Sequence, residues 1–282
     1  MPKILAIHGI GQQFKGDQVI HDEWWGSLVS GLHLAGHSDL VQGDLYCPFY
    51  GDLFRDEEHL GGDSFTPSQL EGRDGESLLL ALWKEAARVD PSIMSPDSDE
   101  TIGSSLARSP KFVQVALQAL SKSEFFVGLA RKAMIGDLLQ VINYLGNVEV
   151  RANIQKRVAP HLTDDVKVVI GHSLGSVVAY EALCAQKHSV HSFITLGSPL
   201  GIRNLVFDKL IPVPENGLGH WPKVKMWTNI ADKGDIVALE KSLGNCFGDG
   251  VTDLLVNNGS DAHGGNRYLT TIQAGQAIRD GL

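Results

Sequence analysis

Residues 168–179 read Val168-Val169-Ile170-Gly171-His172-Ser173-Leu174-Gly175-Ser176-Val177-Val178-Ala179. A short, mostly β-branched run leads into Gly-His-Ser-Leu-Gly and continues as small and apolar residues. This order predicts a buried strand, a sharp turn and a helix, the context in which a G-x-S-x-G turn exposes its serine as a nucleophile. The glycines fit such a turn, because a side chain at Gly171 or Gly175 would collide with the neighbouring strand or helix. The alternative is an ordinary strand-to-helix loop in which Ser173 only caps the helix.

The composition favours one large α/β domain over two smaller ones. The chain has 282 residues, of which 43% are hydrophobic and 20% charged, enough to bury a large core. Its net charge of −9 gives no long-range attraction to phosphate backbones or anionic lipid head groups, so we expect no nucleic-acid partner. The cysteines Cys47, Cys184 and Cys246 imply no disulfide framework and suit a reducing compartment.

We find no targeting signal in the N-terminal residues. Only four apolar residues, Ile4 to Ile7, precede His8, and a signal peptide needs a longer apolar region and a cleavage site. No stretch approaches the length that a transmembrane segment needs. We therefore expect a cytoplasmic protein.

Short apolar runs alternate with helical patterns along much of the chain. The predicted strands are 4–7, 166–170, 192–196 and 224–230, and 45–50 is either a further strand or the loop that closes it. The predicted helices are 17–35, 77–89, 111–120, 135–162 as one helix or two, 174–186 and 267–279. This alternation predicts a doubly wound, mostly parallel sheet flanked by helices.

Residues 52–125 interrupt the alternation. Charged and glycine-rich residues, 52–76, and a proline-bearing loop, 90–110, surround two amphipathic helical patterns, and a further apolar stretch begins at Phe125. We interpret this region as a helical insertion within the core domain. It is either a plain helical layer packed on the sheet or a lid over a site for an apolar substrate.

A nucleophilic serine needs a base within hydrogen-bond reach, and the base needs an acid that orients it. Candidate side chains follow several predicted strands, and the carboxyl ends of parallel strands meet at one edge of a sheet. Among the eleven histidines, we favour His263 as the base, because it stands in a small-residue loop just before the last predicted helix. His220 is the alternative, and His8 and His172 are expected to shape the glycine loops that contain them.

Two aspartates compete for the role of the acid. Asp232 comes sooner after its strand, but the following Lys-Gly pair suggests that it belongs to a turn. Asp235 precedes an apolar run that would hold a carboxylate rigidly, so we favour Asp235. Asp261 is too close in sequence to His263 to be a first choice.

These residues resemble the lipase and serine-esterase branch of the α/β-hydrolase superfamily. The resemblance rests on Ile4–Gly11, the Gly171–Gly175 turn, Leu196-Gly197-Ser198-Pro199, Asp235-Ile236-Val237 and Asp261-Ala262-His263-Gly264. It implies an oxyanion hole formed by the N–H groups of Ile10, with Gly11 or Gln12 as alternatives, and of Leu174. It also implies a single α/β-hydrolase domain, 1–282, with a minimal core of about six strands, since the first predicted strand leads straight into His8-Gly9. Residues 52–125, the helical insertion, match nothing in that family.

We therefore predict a serine hydrolase that cleaves carboxylic esters through an acyl-enzyme, with Ser173 as nucleophile, His263 as base and Asp235 as acid. The expected substrate is a small-molecule or lipid-like acyl compound, and we expect no cofactor and no metal, since metal-ligand spacings such as H-E-x-x-H are missing. A homodimer through the apolar helices of the insertion is a further expectation. The alternatives are a thioesterase, amidase or acyltransferase that uses the same residues, and a non-catalytic binding protein on the same scaffold.

Overall fold

Six parallel strands form one sheet in the computed structural model of the chain, which describes residues 1–55, 66–98, 110–123 and 131–282. The strands are, in chain order, β1 (Ile4–Ile7), β2 (Leu45–Tyr46), β3 (Val168–His172), β4 (Ser192–Leu196), β5 (Met226–Asp232) and β6 (Val251–Val256). Their order across the sheet is β2-β1-β3-β4-β5-β6, and every neighbouring pair is parallel. The expected doubly wound, parallel sheet of about six strands is thereby confirmed.

The strand order reverses between β1 and β3. The chain passes from β1 outward to β2 and then returns to the other side of β1, where Ile4–Ile7 pairs with Val168–Gly171. Such a reversal leaves a crevice at the carboxyl ends of the two strands. The His8–Gln12 loop follows β1 at this edge and Ser173 follows β3, so the topology brings these two segments together.

Helices cover both faces of the sheet. They are α1 (Asp17–Leu34), α2 (Arg73–Val89), α3 (Pro110–Leu120), α4 (Arg131–Gly146), α5 (Val148–Val158), α6 (Leu174–Ala185), α7 (Gly244–Phe247), α8 (Gly265–Leu269) and α9 (Ile272–Gly281). Helices α1, α8 and α9 pack on one face, and α2 to α6 pack on the other. The central strands β1, β3 and β4 are buried on both faces along nearly their whole length, which explains their continuous apolar runs. Within the described ranges, no helix is both long and apolar enough to cross a membrane.

Two predicted helical regions contain a break, which the sequence left open for 135–162 and did not indicate for 267–279. The region 135–162 forms α4 and α5, separated by Asn147, whose side-chain oxygen accepts hydrogen bonds from the N–H groups of Glu149 and Val150 at 2.9 and 3.2 Å. The region 267–279 forms the end of α8 and then α9, where the Thr271 hydroxyl accepts from the N–H of Ala274. In both places a capping side chain satisfies backbone donors and starts a new helix.

The helical insertion, 52–125, is described only in part. Residues 56–65, 99–109 and 124–130 lie outside the described residues, including the start of the apolar stretch predicted from Phe125. The remaining part contains α2 and α3, whose apolar faces belong to the same hydrophobic core as the sheet. Both interpretations of the insertion, a plain helical layer and a lid over the site, stay predictions.

Candidate active site

Ser173 stands in a strained turn between β3 and α6. Its backbone has φ 53° and ψ −130°, a combination that costs energy for any residue with a side chain. A Cβ atom on Gly175 would lie 2.2 Å from the carbonyl oxygen of Ile7, and one on Gly171 would lie 2.5 Å from the Cα of Ser176. Both flanking positions therefore require glycine, as the sequence pattern indicated.

Asp235 and His263 form a buried pair. The His263 Nδ1 lies 2.7 Å from Oδ2 of Asp235, whose side chain is completely inaccessible to solvent. The Tyr268 hydroxyl donates to the same oxygen at 2.7 Å, and the N–H of Val237 donates to Oδ1 at 2.9 Å. Burial alone would raise the pKa of Asp235, but His263 and these hydrogen bonds outweigh burial and lower that pKa to about 2. The carboxyl group is therefore ionised at neutral pH.

The other candidates for the acid and the base lie elsewhere. The Asp232 carboxylate accepts hydrogen bonds from the N–H of Gly234 at 2.7 Å and from the N–H of Asn258, so it shapes a turn. His220 contacts the carbonyl oxygen of Val213 at 3.0 Å in a loop that does not line the cavity at Ser173. The structure thus brings Asp235, rather than Asp232, to His263.

A cavity of about 360 Å³ lies at the reversal point of the sheet. Ser173 and His263 both line it, together with Ile10 and Leu174, whose N–H groups are the expected oxyanion donors. Apolar side chains from α2, α4 and the loop after β4 form much of the remaining wall: Leu78, Leu82, Leu138, Val141, Ile202 and Val206. The cavity can therefore hold an apolar group next to the serine.

The loop after β1 is held by side chains from α4. The N–H of Gly11 donates to the side-chain oxygen of Gln140 at 3.3 Å, and the Gln140 amide nitrogen donates to the side-chain oxygen of Gln13 at 3.2 Å. The N–H of Gly11 therefore already has a hydrogen-bond partner, and Ile10 and Gln12 stay predictions for the first oxyanion donor.

The buried His8 and the partly buried His172 contact the loops of the site. His8 Nδ1 donates to the carbonyl oxygen of Gly9 at 2.8 Å, and burial lowers the pKa of His8 to about 4. His172 Nε2 donates to the carbonyl oxygen of His263 at 2.7 Å, and burial together with the charge of His263 lowers the pKa of His172 to about 3. Both imidazoles are neutral at neutral pH, and each fixes a loop at the cavity.

Several residues that hold the site in place could not be recognised in the sequence. Tyr268 and Gln140 lie on helices and belong to no motif, so only the folded chain reveals their contacts with Asp235 and Gly11. Gly197 belongs to the Leu196–Pro199 motif noted in the sequence, but its position against Asp235 and His263 emerges only from the structure. In the described parts of the chain, no three His, Cys, Asp or Glu side chains are grouped so that they could hold a metal ion.

A family model described as a PGAP1-like alpha/beta domain matches residues 131–262, slightly less than half of the chain. No curated protein matches the chain. The matched segment begins with α4 and ends one residue before His263, so it covers β3 to β6. It therefore contains both the strained turn at Ser173 and the buried carboxylate of Asp235.

Proposed function

We propose that this chain, which has the lipase-like fold of the α/β-hydrolase superfamily, is a serine hydrolase that cleaves carboxylic esters. The observation that carries the proposal is the buried 2.7 Å contact between Asp235 and His263, at a cavity that Ser173 also lines. A lipase-like fold by itself supports only a hydrolase scaffold, because function depends on the site. The choice of ester bonds rests on this arrangement and on the apolar wall of the cavity.

The proposed reaction begins at Ser173. Asp235 keeps the proton of His263 on Nδ1, so Nε2 accepts the serine proton while Oγ attacks the acyl carbon. The N–H groups of Ile10 and Leu174 stabilise the tetrahedral oxyanion, and each should contribute roughly 2.7–4 kcal/mol. His263 then donates the proton to the leaving alcohol, which departs as the acyl-enzyme forms. Water attacks that intermediate with His263 again as base, and the acid and free Ser173 are released.

The first test is covalent labelling with a fluorophosphonate, followed by intact-mass measurement. We expect one adduct on the wild-type protein and none on Ser173→Ala. Ser260→Ala is the matched control, because Ser260 also lines the cavity but has no role in the proposed reaction, and it should label like the wild type. An adduct on Ser173→Ala would refute the assignment of the nucleophile.

The second test is hydrolysis of chromogenic esters of increasing acyl length. Asp235→Asn should lower kcat by about 10⁴, as expected when the base loses its orienting carboxylate. Asp232→Asn should lower it by less than about tenfold, since that side chain only shapes a turn. Labelling without hydrolysis of any ester would reject ester cleavage and favour thioester, amide or acyl-transfer chemistry.

A further inference from the structure

Asp137 places a carboxyl group in the wall of the reaction cavity, next to the loop after β1. It lies on α4, three residues before Gln140, so both side chains face the same loop. A Cβ atom on Gly11 would lie 3.5 Å from each of the two Asp137 carboxylate oxygens. The carboxyl group therefore lies against Gly11, the residue that follows the expected oxyanion donor Ile10.

The surroundings of Asp137 offset its charge only weakly. Within the described residues, the Gln140 amide nitrogen donates to Oδ1 of Asp137 at a long 3.4 Å. Among the residues that line the cavity in the described chain, none is a lysine or an arginine, and the second carboxylate there is that of Asp261. The Asp261 side chain is 59% exposed, whereas Asp137 is half-buried. Burial raises the pKa of Asp137 to about 6, so most molecules carry its charge at pH 7.

A negative charge at this position has a direct consequence for the proposed reaction. The tetrahedral intermediate develops its own negative charge at the N–H of Ile10, one residue from Gly11. An ionised Asp137 opposes that charge unless the bound substrate supplies a compensating group. The free-energy cost of this repulsion rises further if the substrate itself is anionic, because like charges in a partly buried cavity repel strongly.

We propose that Asp137 determines substrate specificity, and that its carboxyl group selects acyl compounds carrying an ammonium or hydroxyl group and disfavours those carrying a carboxylate or phosphate. This inference rests on the proposed function, since it assumes that Ser173 reacts with a substrate bound in the cavity. The Asp137 carboxylate is a hydrogen-bond acceptor, so the substrate group that matches it is a donor that is neutral or positively charged.

The experiment compares three fluorophosphonates that share one linker and end in an ammonium, a hydroxyl or a carboxylate group. The rate of adduct formation at Ser173 is measured by intact mass. In the wild-type protein we expect the ammonium probe to react on the order of tenfold faster than the carboxylate probe, with the hydroxyl probe between them. In Asp137→Asn the ammonium and carboxylate rates should differ by less than about twofold.

Asp261→Asn is the matched control, because it removes one negative charge from the same cavity at an exposed position. It should retain most of the rate ratio, since solvent screens an exposed charge. Asp137→Ser provides a second neutral variant if Asp137→Asn does not fold. If Asp261→Asn lost as much of the rate ratio as Asp137→Asn does, the assignment of the selectivity to Asp137 would be overturned.

The outcomes also separate this inference from the proposed function. Labelling of wild-type Ser173 at equal rates by all three probes would overturn the inference while leaving an activated serine in place. Labelling by none of the probes would reject both. A rate ratio that persists in Asp137→Asn and Asp137→Ser would assign the selectivity to another part of the cavity.

Discussion

Gly197 is the residue on which the Asp235–His263 pair packs. It follows β4 with φ 54°, a left-handed conformation that favours glycine. A Cβ atom on Gly197 would lie 2.6 Å from Oδ2 of Asp235 and 3.0 Å from Nδ1 of His263. A side chain at this position would therefore push apart the two atoms whose contact orients the imidazole.

We predict that Gly197→Ala lowers the rate of fluorophosphonate labelling on the order of 100-fold, since misplacing a catalytic group by about 1 Å has effects of that size. The matched control is Gly36→Ala, which has a similar positive φ of 73° but no atom within 4 Å of an added Cβ. It should lose some stability and keep the wild-type labelling rate. Wild-type labelling of Gly197→Ala would show that the pair tolerates the added methyl group.

Helix α2 is connected through charged side chains to the segment that carries Asp235. The ammonium group of Lys241 donates to the backbone carbonyl oxygen of Asp235 and lies 3.4 Å from the buried carboxylate of Glu85 on α2. Glu85 also accepts two hydrogen bonds from Arg88, at 2.6 and 2.8 Å. The same helix contributes Leu78 and Leu82 to the cavity. Helix α2 thus contributes to both the wall of the cavity and the support of the loop after β5.

We predict that Lys241→Met destabilises the protein by about 1–3 kcal/mol, because it leaves the Asp235 carbonyl without this donor and Glu85 with one cation fewer. The rate at which Ser173 is labelled should fall together with the unfolding free energy. Lys241→Arg, which keeps the positive charge, should lose less of both properties than Lys241→Met. Urea denaturation and intact mass measure the two effects.

The control for Lys241→Met is Lys84→Met on the same helix, which removes an exposed ion pair of 2.9 Å with Asp97. Exposed pairs contribute between about 0 and 1 kcal/mol, so this variant should change neither property appreciably. Equal losses in both variants would contradict a specific role for Lys241.

Some residues of the candidate site could be predicted from the sequence, and others could not. Ser173, Asp235 and His263 could be chosen because each follows a strand or stands in a small-residue loop, and their order fits a serine hydrolase. Their catalytic roles stay predictions. The partners Gln140 and Tyr268 could not be found, because a helical residue contacts the site only after distant segments pack together. Gln140, for example, is separated from Gly11 by 129 positions. The break at Thr271 was missed, and the position of the one at Asn147 was left open, because apolar periodicity continues across a cap.

At the scale of the whole molecule, the sheet and the α/β-hydrolase resemblance were both predictable and are confirmed. Apolar runs separated by helical patterns leave few ways to bury both faces of a parallel sheet, so the doubly wound architecture follows from the pattern. The edge strand β6 was not among the predicted strands, because several of its residues are not buried. The same sheet buries charge-bearing groups at its carboxyl edge, and this burial couples folding to protonation. His8 and His172 are the clearest examples, with pKa values lowered to about 4 and about 3 by burial.

The sign of this coupling follows from the pKa difference. An unfolded histidine has a pKa near 6.5, so between about pH 6.5 and pH 3 the unfolded chain binds a proton that native His172 does not. Stability is therefore lost as the pH falls below 6.5, and the loss is complete near pH 3. Asp137 acts in the opposite direction below about pH 6, because its native pKa is raised. Asp235, with a native pKa of about 2, affects stability only below about pH 4.

We predict that the contribution of His172 to the loss of unfolding free energy between pH 7 and pH 5 is about 2 kcal/mol. His172→Gln keeps a donor for the carbonyl oxygen of His263 but cannot titrate, so its unfolding free energy should fall by about 2 kcal/mol less than that of the wild type over this interval. Urea denaturation at pH 7, 6 and 5 measures the difference. His33→Gln, at an exposed position in the last turn of α1, should follow the wild-type curve. Parallel curves for the wild type and His172→Gln would mean that His172 becomes protonated in the native state without cost.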